Sequence, residues 1–316
     1  MKKLNTKILI IVLVVLAAVF ALSRIFRSPG LESNLRKTLV AVDTAVVTEV
    51  RIQPSNNRTS EIKLYKEGKN WMVIADKQKS ISDINSVKMM LGQLLDLRTQ
   101  RLASRKKEKW ETFNVGDKGT HVTIYEGSKK IADLNCGKTG FVQNGTGSFG
   151  GAYTYVRLSD ENEVYTVEGF LESQFNRTYN DWRNKAFLRL KSDDITKLTF
   201  TYPADSGFVV GKKDSVWFVG NEKADLSKIQ NFLGQLTFKN LNDFADGFVA
   251  TGSAPFTLVI DGKNGMLATA EGWKDADKWI VKSTEQSGVY FSAANSILKD
   301  FWMGKKNFLP SASTKK

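Results

Sequence analysis

The chain opens on an unbroken apolar run from Ile8 to Leu22, which Ile25 and Phe26 extend past Ser23 and Arg24. A helix rises ~1.5 Å per residue, so crossing a ~30 Å hydrocarbon core takes roughly 20 residues. The run reaches that length when Arg24 extends its head group to the interface. It predicts a transmembrane helix over residues 8–26 behind a cytoplasmic tail, residues 1–7. A cleaved signal peptide is the rival, with Val19-Phe20-Ala21 as the cleavage site, but the length of the run and the bulk of Phe20 and Leu22 disfavour it. Positive charge flanks both ends, so the positive-inside count barely discriminates. The short tail and the large following part favour a soluble domain on the extracytoplasmic (periplasmic) side of the inner membrane. Residues 27–45, with Pro29 and Gly30, read as a linker.

Beyond the linker one pattern of apolar and polar positions occurs twice. The first copy, residues 46–190, opens with a strand at Val46–Ile52. Ile62 and Leu64 then alternate with polar residues, Glu67-Gly68-Lys69-Asn70 turns, and Trp71 and Val73 resume the alternation. Ser82 or Asp83 caps a helix whose apolar positions Ile84, Val87, Leu91 and Leu94 fall on one face. The second copy, residues 191–309, repeats this with Ile195–Phe200, a hairpin from Phe208 to Val219 around Gly211-Lys212-Lys213-Asp214, and an Asp225-capped helix. That helix carries Leu226, Ile229, Leu233 and Leu236, the same three-four-three spacing. Leu91-Gly92-Gln93-Leu94 matches Leu233-Gly234-Gln235-Leu236, and a glycine inside each helix suggests close approach to a sheet. Further along, Val122–Gly127 matches Thr257–Gly262, Tyr155-Val156-Arg157 matches Ile280-Val281-Lys282, and Val164-Tyr165 matches Val289-Tyr290. Each copy then closes on an amphipathic stretch ending near Phe175 or Phe301. Ordered matches of this kind indicate duplication.

Strands in runs with short turns and two helical patterns per copy predict an α+β class. The expected architecture is an N-terminal transmembrane helix followed by two duplicated units, each a mainly antiparallel sheet with packed helices. Residues 310–316 form a tail. The equivalent Trp71 and Trp217 are expected in the two cores; for most of Trp110, Trp182, Trp273, Trp279 and Trp302 core or partial burial is expected, with a ligand-stacking surface as the alternative.

Charge changes the picture only locally. Of the net +13 over 316 residues, +6 comes from seven basic residues and Glu32 around the apolar run, where anionic head groups attract such flanks. The densest remaining cluster is Arg98, Arg101, Arg105, Lys106, Lys107 and Lys109. It reads as a solvated basic helix end and loop, with cations favourable near the helix C-terminus. The charges beyond that need, Arg105, Lys106, Lys107 and Lys109, are candidate contacts for a protein partner or anionic lipid. No nucleic-acid-binding module accompanies them, so a nucleic-acid partner is not expected.

Candidate chemistry is sparse. Gly145-Thr146-Gly147-Ser148-Phe149-Gly150 matches the dinucleotide glycine pattern but leads into an alternating strand instead of a helix, so it reads as a hairpin loop. His121 is the single histidine and Cys136 the single cysteine, which leaves no metal cluster and no internal disulfide; Cys136 reads as a small core residue. Asp193-Asp194 and Asp160-Glu161 sit in turn-like surroundings. No catalytic residue, cofactor or metal is assigned.

On these residues the chain resembles the DUF4340 family, domain of unknown function. The resemblance lies in the Trp71 hairpin, the Asp83-capped Leu-Gly-Gln-Leu helix, Val122–Gly127, Gly137-Lys138, Thr154–Arg157, Val164-Tyr165 and Asp181-Trp182-Arg183-Asn184-Lys185. It implies a membrane-anchored envelope protein, encoded beside gliding-motility-type ABC transporter subunits, with no established activity. The expected function is a non-enzymatic accessory or scaffold protein, with ABC transporter permease subunits or other envelope proteins as partners. The alternatives are a module binding a peptide, glycan or lipid in the cleft between the repeats, and, third, an uncharacterised hydrolase.

Overall fold

The computed structural model describes residues 36–57, 59–143, 149–275, 278–298 and 301–311, together with Val12, Leu13, Val15, Leu16, Ala17 and Val19. The chain divides between Trp182 and Arg183 into two compact units.

The first unit runs β1 (Thr38–Val40), β2 (Glu49–Gln53), β3 (Ile62–Glu67), β4 (Asn70–Ala75), β5 (Gln78–Ile81), α1 (Ile84–Leu94) and β6 (Leu97–Ser104). It continues with α2 (Trp110–Phe113), β7 (Thr120–Glu126), β8 (Lys129–Gln143), β9 (Phe149–Leu158), β10 (Val164–Glu168), α3 (Leu171–Phe175) and α4 (Tyr179–Trp182). The second unit has β11 (Ala186–Arg189), β12 (Ile195–Thr201), β13 (Phe208–Lys213), β14 (Val216–Val219), β15 (Glu222–Lys223), α5 (Leu226–Thr237), β16 (Phe238–Asn240) and β17 (Asp243–Phe244). It ends with β18 (Phe256–Gly262), β19 (Gly265–Asp275), β20 (Lys278–Ser283), β21 (Phe291–Ala294) and α6 (Asn295–Leu298).

The strand orders correspond over nine strands, and β1 of the first unit has no counterpart in the second. In the first unit the sheet reads β5-β4-β3-β2-β7-β8-β9-β10-β6-β1, and in the second β15-β14-β13-β12-β18-β19-β20-β21-β17. In the first unit the strand that follows the long helix, β6, pairs with the last strand of the meander; in the second, β16 follows the helix and pairs with β11 in a separate two-stranded sheet, and the next strand, β17, takes the edge beside β21, with all neighbours antiparallel. The register agrees in detail: Trp71 lies opposite Lys66, and Trp217 opposite Lys212. Both tryptophans are buried. The hairpin turns are set by backbone conformations that few side chains adopt. Gly68 has φ +59°, and Asp214 and Ser215 have φ +47° and +70°, the two successive left-handed residues of a type I′ turn.

Each unit has its own core. In the first, Val50, Ile52, Leu64, Val73, Ile124 and Val156 point from the sheet toward Val87, Met90, Leu91 and Leu94 of α1. In the second, Leu198, Val210, Val219, Leu258, Ile260 and Val281 belong to one cluster with Ile229, Phe232, Leu233 and Leu236 of α5. Both helices start on an aspartate: Asp83 accepts the Ser86 N–H at 2.7 Å, and Asp225 accepts those of Ser227 and Lys228 at 3.0 and 3.3 Å. The N–H of each capping aspartate goes elsewhere. Asp83 donates to the carbonyl of Trp182 at 2.8 Å, and Asp225 to that of Phe308 at 2.9 Å. Trp182 and Phe308 are both fully buried, so each unit ends on an aromatic residue set beside the start of its helix.

The structure corrects the expected α+β class with its transmembrane helix and helix-packed units. Antiparallel strands dominate the described chain, and each unit has one helix of 11 or 12 residues. The amphipathic stretches expected to form a second helix give only the short α3 and α6, because extended segments and turns take up the rest of their apolar residues. Among the described residues no helix is long and apolar enough to cross a membrane. Of the span expected over residues 8–26, the six described residues are helical; the rest of it, residues 1–7, the first part of the linker and residues 312–316 lie outside the described residues.

Two local expectations also change. Ile84 and Leu226, the first residues of the helices, are 42% and 56% exposed, while Met90 and Phe232 are buried in their place. The buried stripe is centred one turn further on, and the first residue of each helix faces solvent. Gly92 and Gly234 approach nothing: a methyl group at either position would meet no atom within 4 Å. Glycine at an exposed helix interior costs ~0.8–1 kcal/mol relative to alanine. Gly92→Ala and Gly234→Ala are therefore expected to stabilise the protein by ~0.5–1 kcal/mol each in urea unfolding. Loss of stability in either variant would mean that the glycine serves a contact after all.

Candidate functional site

The segment read as a basic helix end is a strand over its first half. Arg98 and Arg101 lie on β6, and Arg98 pairs with Asp96 at 2.6 Å, so the helix dipole has no part in placing them. Past Ser104 the chain leaves the sheet and crosses the surface. Ser104 Oγ accepts the Lys106 N–H at 3.0 Å, and a 3-10 turn at Lys107–Lys109 leads directly into α2. Arg105, Lys106, Lys107 and Lys109 are all exposed. Among the described residues none of the four belongs to an ion pair. They form a short ridge of unneutralised positive charge, interrupted by Glu108.

The ridge is fixed to the unit through Trp110. Its Nε1 donates to the Asn162 carbonyl at 3.1 Å, and its ring is covered by the Arg157 guanidinium at 3.8 Å from the centroid, with Lys107 Nζ at 5.2 Å. Arg157 is only 6% exposed. Its Nε donates to Val115 O at 3.2 Å, and its Nη1 to Leu158 O, Ser159 O and Glu161 O at 2.9, 3.1 and 3.2 Å. One arginine thus ties the loop after α2 to the loop after β9, which is why a charge is tolerated there. Burial pulls this guanidinium below its ordinary range, against the opposing effect of Asp133 and Asp160.

Beside this stack lies a groove of about 540 Å³ whose walls include Lys107, Trp110, Glu111, Asp117, His121 and Arg157. Gln53 and Asn135 complete it from β2 and β8, the neighbours of His121 in the sheet register. His121 Nε2 meets Asp133 Oδ1 at 2.6 Å, Ser159 Oγ donates to the same oxygen at 2.5 Å, and Lys130 Nζ reaches Asp133 Oδ2 at 2.6 Å. Asn135 Nδ2 donates to Ser159 Oγ at 3.0 Å. A second groove of about 570 Å³ takes in Lys130, Asp133 and Ser159 together with Arg36.

The order of this network decides what it can do. A serine nucleophile needs the histidine between itself and the carboxylate, so that the ring can take the hydroxyl proton. Here the carboxylate stands in the middle, and Ser159 and His121 share one of its oxygens, which makes the trio a structural clamp. Among the described residues no group of three or more His, Cys, Asp and Glu side chains is placed to hold a metal ion. Cys136 is fully buried, and burial pushes its thiol up. Of the glycine pattern only Phe149 and Gly150 are described, both in β9; the remainder lies outside the described residues.

Sequence reasoning placed the ridge but missed the groove. Arg157 sits in the alternating Tyr155-Val156-Arg157, where a charged residue reads as facing solvent, and its partners are carbonyls of distant loops.

Strand order, register and helix caps define a class: a tandem of two antiparallel-sheet units of one topology, each carrying one long helix. The family model described as domain of unknown function (DUF4340) matches residues 71–258, and the chain belongs to that family. The match begins at the Trp71 hairpin and runs through the ridge and groove into β18 of the second unit. No curated protein and no solved structure matches the chain.

Asp133 yields a pH test. Burial raises its carboxyl pKa, but the bonds from Lys130, Ser159 and His121 outweigh burial and hold it below the ordinary range. A depressed folded-state pKa stabilises above the unfolded value, ~3.9, and that contribution is lost as pH falls through the folded value. Asp133→Asn is therefore expected to be less stable than the parent at neutral pH and to converge on it in acid, below about pH 4. Urea unfolding at a series of pH values measures this, and curves that stay parallel into acid would contradict the clamp.

Proposed function

We propose that the protein is a non-enzymatic accessory or scaffold subunit that works by contact. Its place is the extracytoplasmic face of the cytoplasmic membrane, beside an ABC-type transport or gliding-motility complex. The observation that carries this reading is the ridge: Arg105, Lys106, Lys107 and Lys109 are exposed, and no carboxylate neutralises them among the described residues. Four cations left unpaired add little to fold stability, since exposed charges contribute little even when paired. They act over a distance, raising the rate at which an acidic surface arrives and orienting it on contact. The Trp110–Arg157 stack supports the same reading, because a fixed ridge loses less entropy on binding than a mobile loop. The transport-complex setting comes from the family resemblance, and the ridge gives it a point of attachment.

Reversing the four charges to glutamate is expected to leave the melting temperature within about 2 °C of the parent, as surface substitutions do. Recovery of membrane-complex proteins in affinity purification is expected to fall, most sharply at low salt, where unscreened steering is strongest. Recovery equal to that of the parent across a range of salt concentrations would rule the ridge out as the contact.

A further inference from the structure

We propose that the groove beside the Trp110–Arg157 stack is a receptor for a carboxylate-bearing peptide segment. The first observation is Arg157 itself. Its Nε and Nη1 are used by four carbonyls, while Nη2 takes no partner among the described residues and the side chain lines the groove. A guanidinium held rigidly by its other nitrogens, in a residue only 6% exposed, presents N–H groups in a fixed direction at no further entropic cost.

Two further groups converge on the same space. Lys107 lines the groove, and His121 lines it with Nε2 already committed to Asp133, which leaves Nδ1 as its remaining polar atom. Lys107 thus adds a second cation to the walls that an anionic group seated on Arg157 meets, and His121 Nδ1 donates to that group when the ring is doubly protonated.

The rest of the lining selects the class of anion. Glu111, which Lys118 approaches at 3.7 Å, and Asp117 belong to the same walls, so a compact dianionic phosphate seated on Arg157 meets both acids, whereas the carboxylates of a peptide are spread along a chain that can lead the others out of the groove. Both acids accept hydrogen bonds, as the N–H groups of an extended peptide require. A sugar would need an aromatic face to stack on. The Trp110 ring is already covered by Arg157. An acidic peptide therefore fits the donors, the acceptors and the covered ring together.

This site does not depend on the ridge reading and is tested apart from it. The full-length chain is titrated by calorimetry with a blocked hexaglutamate peptide, a blocked hexaglutamine peptide and inorganic phosphate. Hexaglutamate is expected to bind at least about tenfold more tightly than either control, the effect of one charge-assisted hydrogen bond. Lys107→Ala and Arg157→Gln are each expected to weaken it by about tenfold or more. Because Arg157 also ties two loops, Lys107→Ala and Glu111→Gln serve where Arg157→Gln does not fold; the second is expected to tighten hexaglutamate by removing a negative wall. Charge reversal confined to Arg105, Lys106 and Lys109 separates the two readings. Hexaglutamate binding abolished by that reversal and untouched by Lys107→Ala would place the anion on the ridge and overturn the groove. Equal binding of hexaglutamine, or tighter binding of phosphate, would overturn the assignment as well.

Discussion

Each unit depends on how its helix begins. A capping aspartate uses its carboxylate to satisfy the first turn of the helix, and its own N–H has to be satisfied from outside. In both units that acceptor is the carbonyl of a fully buried aromatic residue at the end of the unit, Trp182 or Phe308. The sheet is open-ended, and the long helix packs on its apolar face, joined in the first unit by Leu171 and Phe175 of the short α3. The start of each helix is thus fixed to a residue that belongs to the same core, Trp182 in the first unit and Phe308 in the second. In the second unit Phe308 meets Phe200, Phe208 and Phe232 at ring separations of 5.1 to 5.9 Å, which joins sheet, helix and chain end in one cluster. Burying rings of this size in T-shaped and tilted contacts contributes more than the single hydrogen bond that positions them.

The same logic explains where a contact surface could arise. The excursion between β6 and β7 leaves the sheet and carries the ridge and α2. Arg157 then binds that excursion to the end of β9 through four carbonyls and the face of Trp110. In the second unit the chain from β17 to β18 has no comparable run of cations. The two units thus share a strand order, and the first carries the charged excursion, held through Trp110, Phe113 and Val115.

Much of the fold was legible in the sequence because it rests on local rules. The three-four-three spacing marked both helices, and alternation marked the hairpins around Trp71 and Trp217. What was not legible depends on distant partners. Arg157 looks like any outward strand residue until the loops at Val115 and Glu161 fold over it. The tail from Lys305 to Leu309 shows no periodicity, since a single plugging aromatic has none, yet Phe308 completes a core. Period alone located the helical stripe but not where its burial begins, so Ile84 and Leu226 were assigned to cores although they face solvent. Gly92 and Gly234 were misread for a related reason: a rare residue in a helix invites a contact as explanation, and the space around both is open.

The claim that buried aromatic residues fix the helix starts is tested most directly by native-state hydrogen exchange at the backbone amides of Asp83 and Asp225. In the parent protein both amides are expected to exchange only with opening of their unit, at rates close to those of the central strands. In Phe308→Ala the Asp225 amide is expected to lose that protection while the Asp83 amide keeps it. Fast exchange of both amides in the parent, or unchanged protection of Asp225 in the variant, would contradict the account.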